Sequence, residues 1–216
     1  MVKSLEITKK DLKIEFRSKD TINFMLLFAL VTSIMFSVSI PVNEYVVPSL
    51  LWLIFMFVGM LGYSKAFLRE IEQKTIDCLR IAPINPTSVL IGKILYNMIL
   101  MLLVQIIVLP IFIALFNLDI ANPLLLFLSI TLGNIGFVVV ITFLSALVIK
   151  SRVRELLIPI LAFPIVFPII SLTVLAIKNA LLGDLTGIYS ILLFIAGFSI
   201  VMFIVAYLTF EYIFID

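Results

Sequence analysis

Glu70, Glu72, Lys74, Asp77 and Arg80 lie close together in a chain whose long apolar runs contain no charge. Glu70, Lys74, Asp77 and Arg80 recur at steps of four, three and three, which puts opposite charges on one stripe of a helix. Leu68, Ile71, Thr75 and Cys78/Leu79 form a second, less polar stripe beside it. The chemistry open to such a surface is ion pairing with a soluble partner. Catalysis is not indicated: the chain has no histidine and one cysteine, so the commonest general base and metal ligand are missing. It also has no Gly-x4-Gly-Lys-Ser/Thr phosphate loop. The expectation is a protein that is not itself an enzyme and binds no cofactor or metal directly.

The elements flanking this stretch say how it is held. Pro83 ends the charged helix, because the residue before a proline is pushed out of helical geometry. Asn85 and Pro86 read as the N-cap and first residue of the next helix. That helix runs on into a long apolar stretch. Residues 65–93 therefore read as a helix, a tight turn and a lever entering the membrane.

Of the 216 residues, 63% are hydrophobic, against roughly 45–50% in a soluble domain. Six uncharged stretches, 21–40, 45–64, 94–116, 124–149, 156–177 and 188–210, are long enough to cross a bilayer. Lipid cannot satisfy backbone polar groups, so each must be helical. The expected fold is all-α: one transmembrane domain over 1–216 with six spans, an N-terminal interfacial helix and a cytoplasmic coupling helix between spans two and three.

Fourteen of the 15 basic residues fall in the N-terminal segment, the 65–93 block and the 150–155 link, leaving Lys178 on the other side. The positive-inside rule places those segments and both termini in the cytoplasm, in a multi-pass protein of the cell membrane. The net charge of +2 then reports topology, and no nucleic-acid partner is expected. The 150–155 link, with Arg152, Arg154 and Glu155, is either a second partner contact or only a topology signal. In residues 3–19, Val2, Leu5, Lys9, Leu12 and Phe16 share one helical face, as in a helix lying on the lipid bilayer. A solvated basic tail is the alternative. Within the spans, Asn97, Gln105, Ser129, Thr131, Asn134 and Thr142 are expected to join helices. Pro159, Pro164 and Pro168 mark a helix that either hinges or simply packs. No span carries the ionisable groups that proton- or ion-coupled transporters use. Energy must therefore arrive from outside the membrane.

Glu70, Thr75, Ile76, Asp77, Leu79, Pro83, Gly92 and Lys93 resemble the pattern between spans two and three of ABC type-2 exporter permeases. The chain departs from it at Gln73-Lys74, where many members carry Asp-Gly. Within that superfamily it is most similar to the haem exporter protein B (CcmB) family of cytochrome c maturation. The similarity lies in length, in Lys10-Asp11-Leu12 with Glu15-Phe16-Arg17, in Pro48-Ser49-Leu50-Leu51-Trp52 leading to Phe67-Leu68-Arg69-Glu70, and in the fifth-span prolines. The resemblance implies a homodimeric or pseudo-dimeric permease docked on ABC ATPase subunits. It would act with haem-handling membrane proteins and an outer-face haem chaperone, using ATP through the partner subunit, with haem as candidate cargo. ATP hydrolysis would serve haem delivery or release of the loaded chaperone. Glu70, Glu72, Lys74, Thr75, Asp77, Arg80, Pro83, Asn85 and Pro86 would form the ATPase-coupling interface. A permease for lipid, drug or polysaccharide, and a membrane scaffold without energy coupling, are the competing readings.

Overall fold

The computed structural model describes residues 2–40, 45–63, 67, 70, 85–148, 151 and 153–215. Among them all regular structure is α-helical: α1 (Val2–Ser18), α2 (Asp20–Ser39), α3 (Val47–Tyr63), α4 (Pro86–Phe116), α5 (Pro123–Leu147), α6 (Arg154–Leu182) and α7 (Ile188–Ile215). Helices thus form over every long apolar run, as lipid requires. The chain is a polytopic helical membrane protein. Helices α2, α4, α5, α6 and α7 are long and apolar enough to cross a bilayer, whereas α3 is shorter. At about 1.5 Å per residue α3 measures about 26 Å, near the lower end of spanning lengths.

Helix α5 is the centre of the bundle. Every residue from Gly136 to Ala146 is buried, the state expected of a helix that is apolar all round. It packs against α3, α4, α6 and α7, while α2 lies on α3 and α4 and α1 lies on α4. Close crossings depend on missing side chains. A Cβ built on Gly133 would stand 2.5 Å from Thr173 Oγ1 and 2.7 Å from Trp52 Cη2. Helices α3, α5 and α6 therefore meet at this backbone, in the small-residue manner of membrane helices.

Polar residues supply the remaining joints. Asn97 Nδ2 donates to Thr142 Oγ1 (2.8 Å), Gln105 Nε2 to Thr131 Oγ1 (3.0 Å), and Asn134 Nδ2 to Gln105 Oε1 (2.9 Å). These bonds tie α4 to α5, so the polar residues of the third and fourth apolar stretches act as helix glue. Ser129, also expected there, bonds to its own helix at Leu125 O. At the opposite end from α1, the turn after α4 pairs with the end of α6. Ala121 N and Asn122 N donate to Leu181 O and Ala180 O, satisfying carbonyls a helix end leaves open. Gly183, with φ of 73°, closes α6, because the left-handed conformation suits a residue without Cβ.

Pro159, Pro164 and Pro168 sit inside one continuous helix, α6, a geometry compatible with either a hinge or simple packing. Pro159 and Pro164 are exposed and Pro168 half-buried, whereas Ile158, Ala162, Val166, Ile169 and Thr173 face inward. Helix α6 also extends to Leu182, which shortens the 178–187 connection to 183–187. Pro110 is a further proline inside a helix, α4, and is likewise exposed.

Candidate functional site

Helix α4 has 31 residues and runs about 46 Å, well beyond a hydrocarbon core of roughly 30 Å. Its first turns are gripped by α1. Asn85 holds the N-cap position with Pro86 as the first helical residue, as the sequence predicts. The cap is made by main chain, Ser88 N donating to Asn85 O at 2.9 Å, and the Asn85 side chain makes no capping bond.

The α1–α4 contact is built from small and polar residues. Ser4, Ile7, Thr8, Asp11 and Glu15 are buried and recur at the three- and four-residue steps of one helix face. Gly92 lets that face approach: a Cβ there would lie 3.0 Å from Ile7 Cβ and 3.0 Å from Ser4 O. Thr8 Oγ1 donates to Gly92 O at 2.9 Å. Farther along, Asp11 meets Lys93 and Glu15 meets Tyr96, so the two helices run parallel. This adds a docking face to the apolar stripe expected of α1. Leu5 and Phe16 remain more than half exposed, and the opposite, more polar face is the one that docks.

At the centre of this seam is an ion cluster. Lys93 is only 3% exposed, and its ammonium contacts Asp11 Oδ2 at 2.9 Å and Glu70 Oε1. It also lies 5.5 Å from the centroid of the Phe67 ring, within cation–π range. Lys10 joins from the rim, 3.1 Å from Asp11 Oδ1 and 3.5 Å from Glu70 Oε1. Two lysines face two carboxylates, so the cluster is electrically balanced. Partial burial acts to lower the Lys10 pKa, but attraction to Asp11 and then Glu70 outweighs it and holds the ammonium above its usual value of 10.5. A raised lysine pKa contributes stability below about pH 10.5 and loses it only as pH rises through the folded-state value. Lys10 therefore stays charged at neutral pH.

One turn on, Glu15 organises the α1–α2 corner. Lys19 takes a left-handed conformation, φ 59°, which costs a non-glycine residue about 1–2 kcal/mol. The Glu15 carboxylate compensates by capping α2: Thr21 N and Ile22 N donate to Oε1 at 2.7 and 3.0 Å, and Thr21 Oγ1 donates to Oε2 at 2.9 Å. The Tyr96 hydroxyl donates to the same carboxylate at 3.3 Å. Negative charge at a helix N-terminus is favourable. Glu15→Ala is expected to cost about 1–2 kcal/mol and Glu15→Gln less, since the amide keeps an acceptor. Amide hydrogen exchange checks this through selective loss of protection at Thr21 and Ile22. Unchanged protection in Glu15→Ala would refute the cap.

The structure redistributes the residues named from sequence. Glu70, expected to face a partner, is 5% exposed and turned into the cluster, because the buried Lys93 ammonium needs its charge. Asn85 and Pro86 lie where expected. Glu72, Lys74, Thr75, Asp77, Arg80, Pro83 and Arg152 fall outside the described residues, as do the side chains of Arg154 and Glu155. Lys10, Asp11, Glu15, Lys93 and Tyr96 were not singled out for these roles. A signal existed in the polar stripe through 4, 8, 11 and 15, and in the lysine immediately before an apolar run.

Among the described residues the protein is an all-helical polytopic membrane protein with a long helix anchored by a charged cluster. Residues 2–212 match the CcmB protein family, and the chain belongs to it. It is also similar to heme exporter protein B of Rhodobacter capsulatus, with 29% identity over 167 residues, covering 75% of this chain and 76% of that protein.

Proposed function

We propose that this chain is the transmembrane permease subunit of an ATP-driven ABC transporter complex of the haem-export, cytochrome c maturation type. It would sit in the cell membrane with six spans and both termini cytoplasmic, and pair as a homodimer. A separate ABC ATPase subunit would supply hydrolysis, since this chain has no phosphate loop. The work would be haem delivery or release of a haem-loaded chaperone on the outer face, with haem as cargo and not as a resident cofactor.

The observation that carries the reading is the attachment of Glu70 to Lys93. Glu70 opens the charged segment, and Lys93 is in the second turn of a helix long enough to cross the membrane with turns to spare. Force applied by an ATPase to Glu72, Lys74, Asp77 and Arg80 would enter α4 through this link and through the Asn85-Pro86 joint. Glu70 belongs to the link and not to the gripped surface.

Co-expression with candidate ATPases tests this. Reversing two charges of the sequence stripe together, Asp77→Lys with Arg80→Glu, is expected to lower ATPase binding and stimulation by about tenfold or more, at unchanged membrane abundance. Wild-type binding and stimulation in that variant would sink the coupling assignment. Haem content of extracytoplasmic cytochromes in a deletion strain tests the haem-handling assignment separately, and normal content would defeat it.

A further inference from the structure

We infer that α1 and the base of α4 form one rigid body, clamped by Lys93, so that the N-terminal helix travels with the lever and is not left behind on the membrane surface. Lys93 is the positioning residue of this unit. The inference rests on the proposed coupling for its consequence, but its geometry stands apart from it.

Three features support the clamp. First, Lys93 bridges carboxylates from two distant parts of the chain, Asp11 on α1 and Glu70 at the start of the charged segment. A single buried ammonium therefore fixes three pieces of backbone. Second, the seam continues on both sides of it, through Thr8 Oγ1 to Gly92 O and through Tyr96 to Glu15. A hinge between α1 and α4 would break all of these at once. Third, Gly92 brings the two helices to near backbone contact against Ile7 and Ser4, and such interdigitation does not slide continuously. Glu15 then extends the body to the first turn of α2. Motion entering at the charged segment would thus reach two membrane-entering helices, α4 directly and α2 through the Lys19 corner.

The close approach at Gly92 gives a direct test. A Cβ there is 3.0 Å from Ile7 Cβ, closer than the roughly 3.5–4.5 Å of a disulfide, so the two helices need part by only about 0.5 Å to accept the bridge. In a Cys78→Ser background, which removes the chain's one cysteine, Ile7→Cys with Gly92→Cys is expected to cross-link readily under mild oxidant. The cross-linked protein, in complex with its ATPase, should keep stimulation within about twofold of the reduced form. Lys93→Met in the same background should cross-link about tenfold more slowly and lose stimulation by about tenfold, while Lys93→Arg restores both. A merely structural lysine would lower abundance without changing stimulation per complex.

Loss of stimulation on cross-linking would show that α1 and α4 must separate, and would overturn the inference. So would wild-type cross-linking and stimulation in Lys93→Met. Should Lys93→Met fail to accumulate, the disulfide and the Lys93→Arg variant still decide. If no ATPase binds even the wild-type chain, the coupling reading falls, and the cross-linking rates alone test the rigid body.

Discussion

Lys93→Met is expected to destabilise the protein by about 3–5 kcal/mol, the cost of leaving buried charge without its partner. Asp11 and Glu70 are both more than nine-tenths buried, and among the described residues Lys93 is the buried cation that reaches them. Lys10 is at the rim with nearly half of its side chain exposed, so solvent screens its attraction and it cannot replace the lost ammonium. The loss is therefore repulsion and desolvation at two carboxylates, beyond the loss of one contact. Replacing the inner set together, Asp11→Leu with Glu70→Leu and Lys93→Met, should cost far less, because an apolar substitute for a buried ion group is often close to neutral. Thermal unfolding of the purified protein in detergent, followed by fluorescence of the single tryptophan, Trp52, checks both. A single-variant loss below about 1 kcal/mol would place the cluster among weak surface pairs. A triple variant as damaged as the single one would show that the charges themselves, and not their balance, hold α1 in place.

Gly133→Val should have the second largest effect, about 3 kcal/mol, at the upper end of overpacking costs. The first added carbon already falls 2.5–2.7 Å from Thr173 Oγ1, Thr173 Cγ2 and Trp52 Cη2. Both neighbours are fully buried on other helices, so neither side chain has room to withdraw. The clash must be relieved by moving α3 and α6 away from α5. Gly197 is the internal control, since a Cβ there meets nothing within 4 Å. Gly197→Ala should be neutral or stabilising by about 0.5–1 kcal/mol, through helix propensity alone. Equal effects at Gly133 and Gly197 in the same unfolding assay would mean that backbone propensity, and not the crossing, sets the cost. Because Trp52 lies against Gly133, the Gly133 variant should also shift its emission.

The apolar runs, the proline-started α4 and the polar glue were legible because each follows from local chemistry or from the bilayer. A run of twenty uncharged residues has one stable form in lipid. Asn97 and Gln105, set in apolar helices, need partners wherever they find them. The prolines of α6 were legible as a local peculiarity, but their consequence was not. Whether a proline breaks a helix depends on which side it faces, and that side is chosen by packing. The docking face of α1 was not legible for a related reason. An apolar stripe through Leu5 and Phe16 suits lipid, and the polar stripe through 4, 8, 11 and 15 does not by itself name Gly92 as the surface it docks on.

By itself the sequence determined the class of the molecule: a helical membrane protein with long uncharged spans joined by charged segments. These properties depend on composition and on spacing within single elements, and both are readable in one dimension. Tertiary structure alone decided that Lys93, Asp11 and Glu70 share one site, with Lys10 at its rim and Glu70 turned inward. The residues of that cluster come from positions 10, 11, 70 and 93. The free energy of a buried charge depends on distances set by helix packing, which no local pattern encodes.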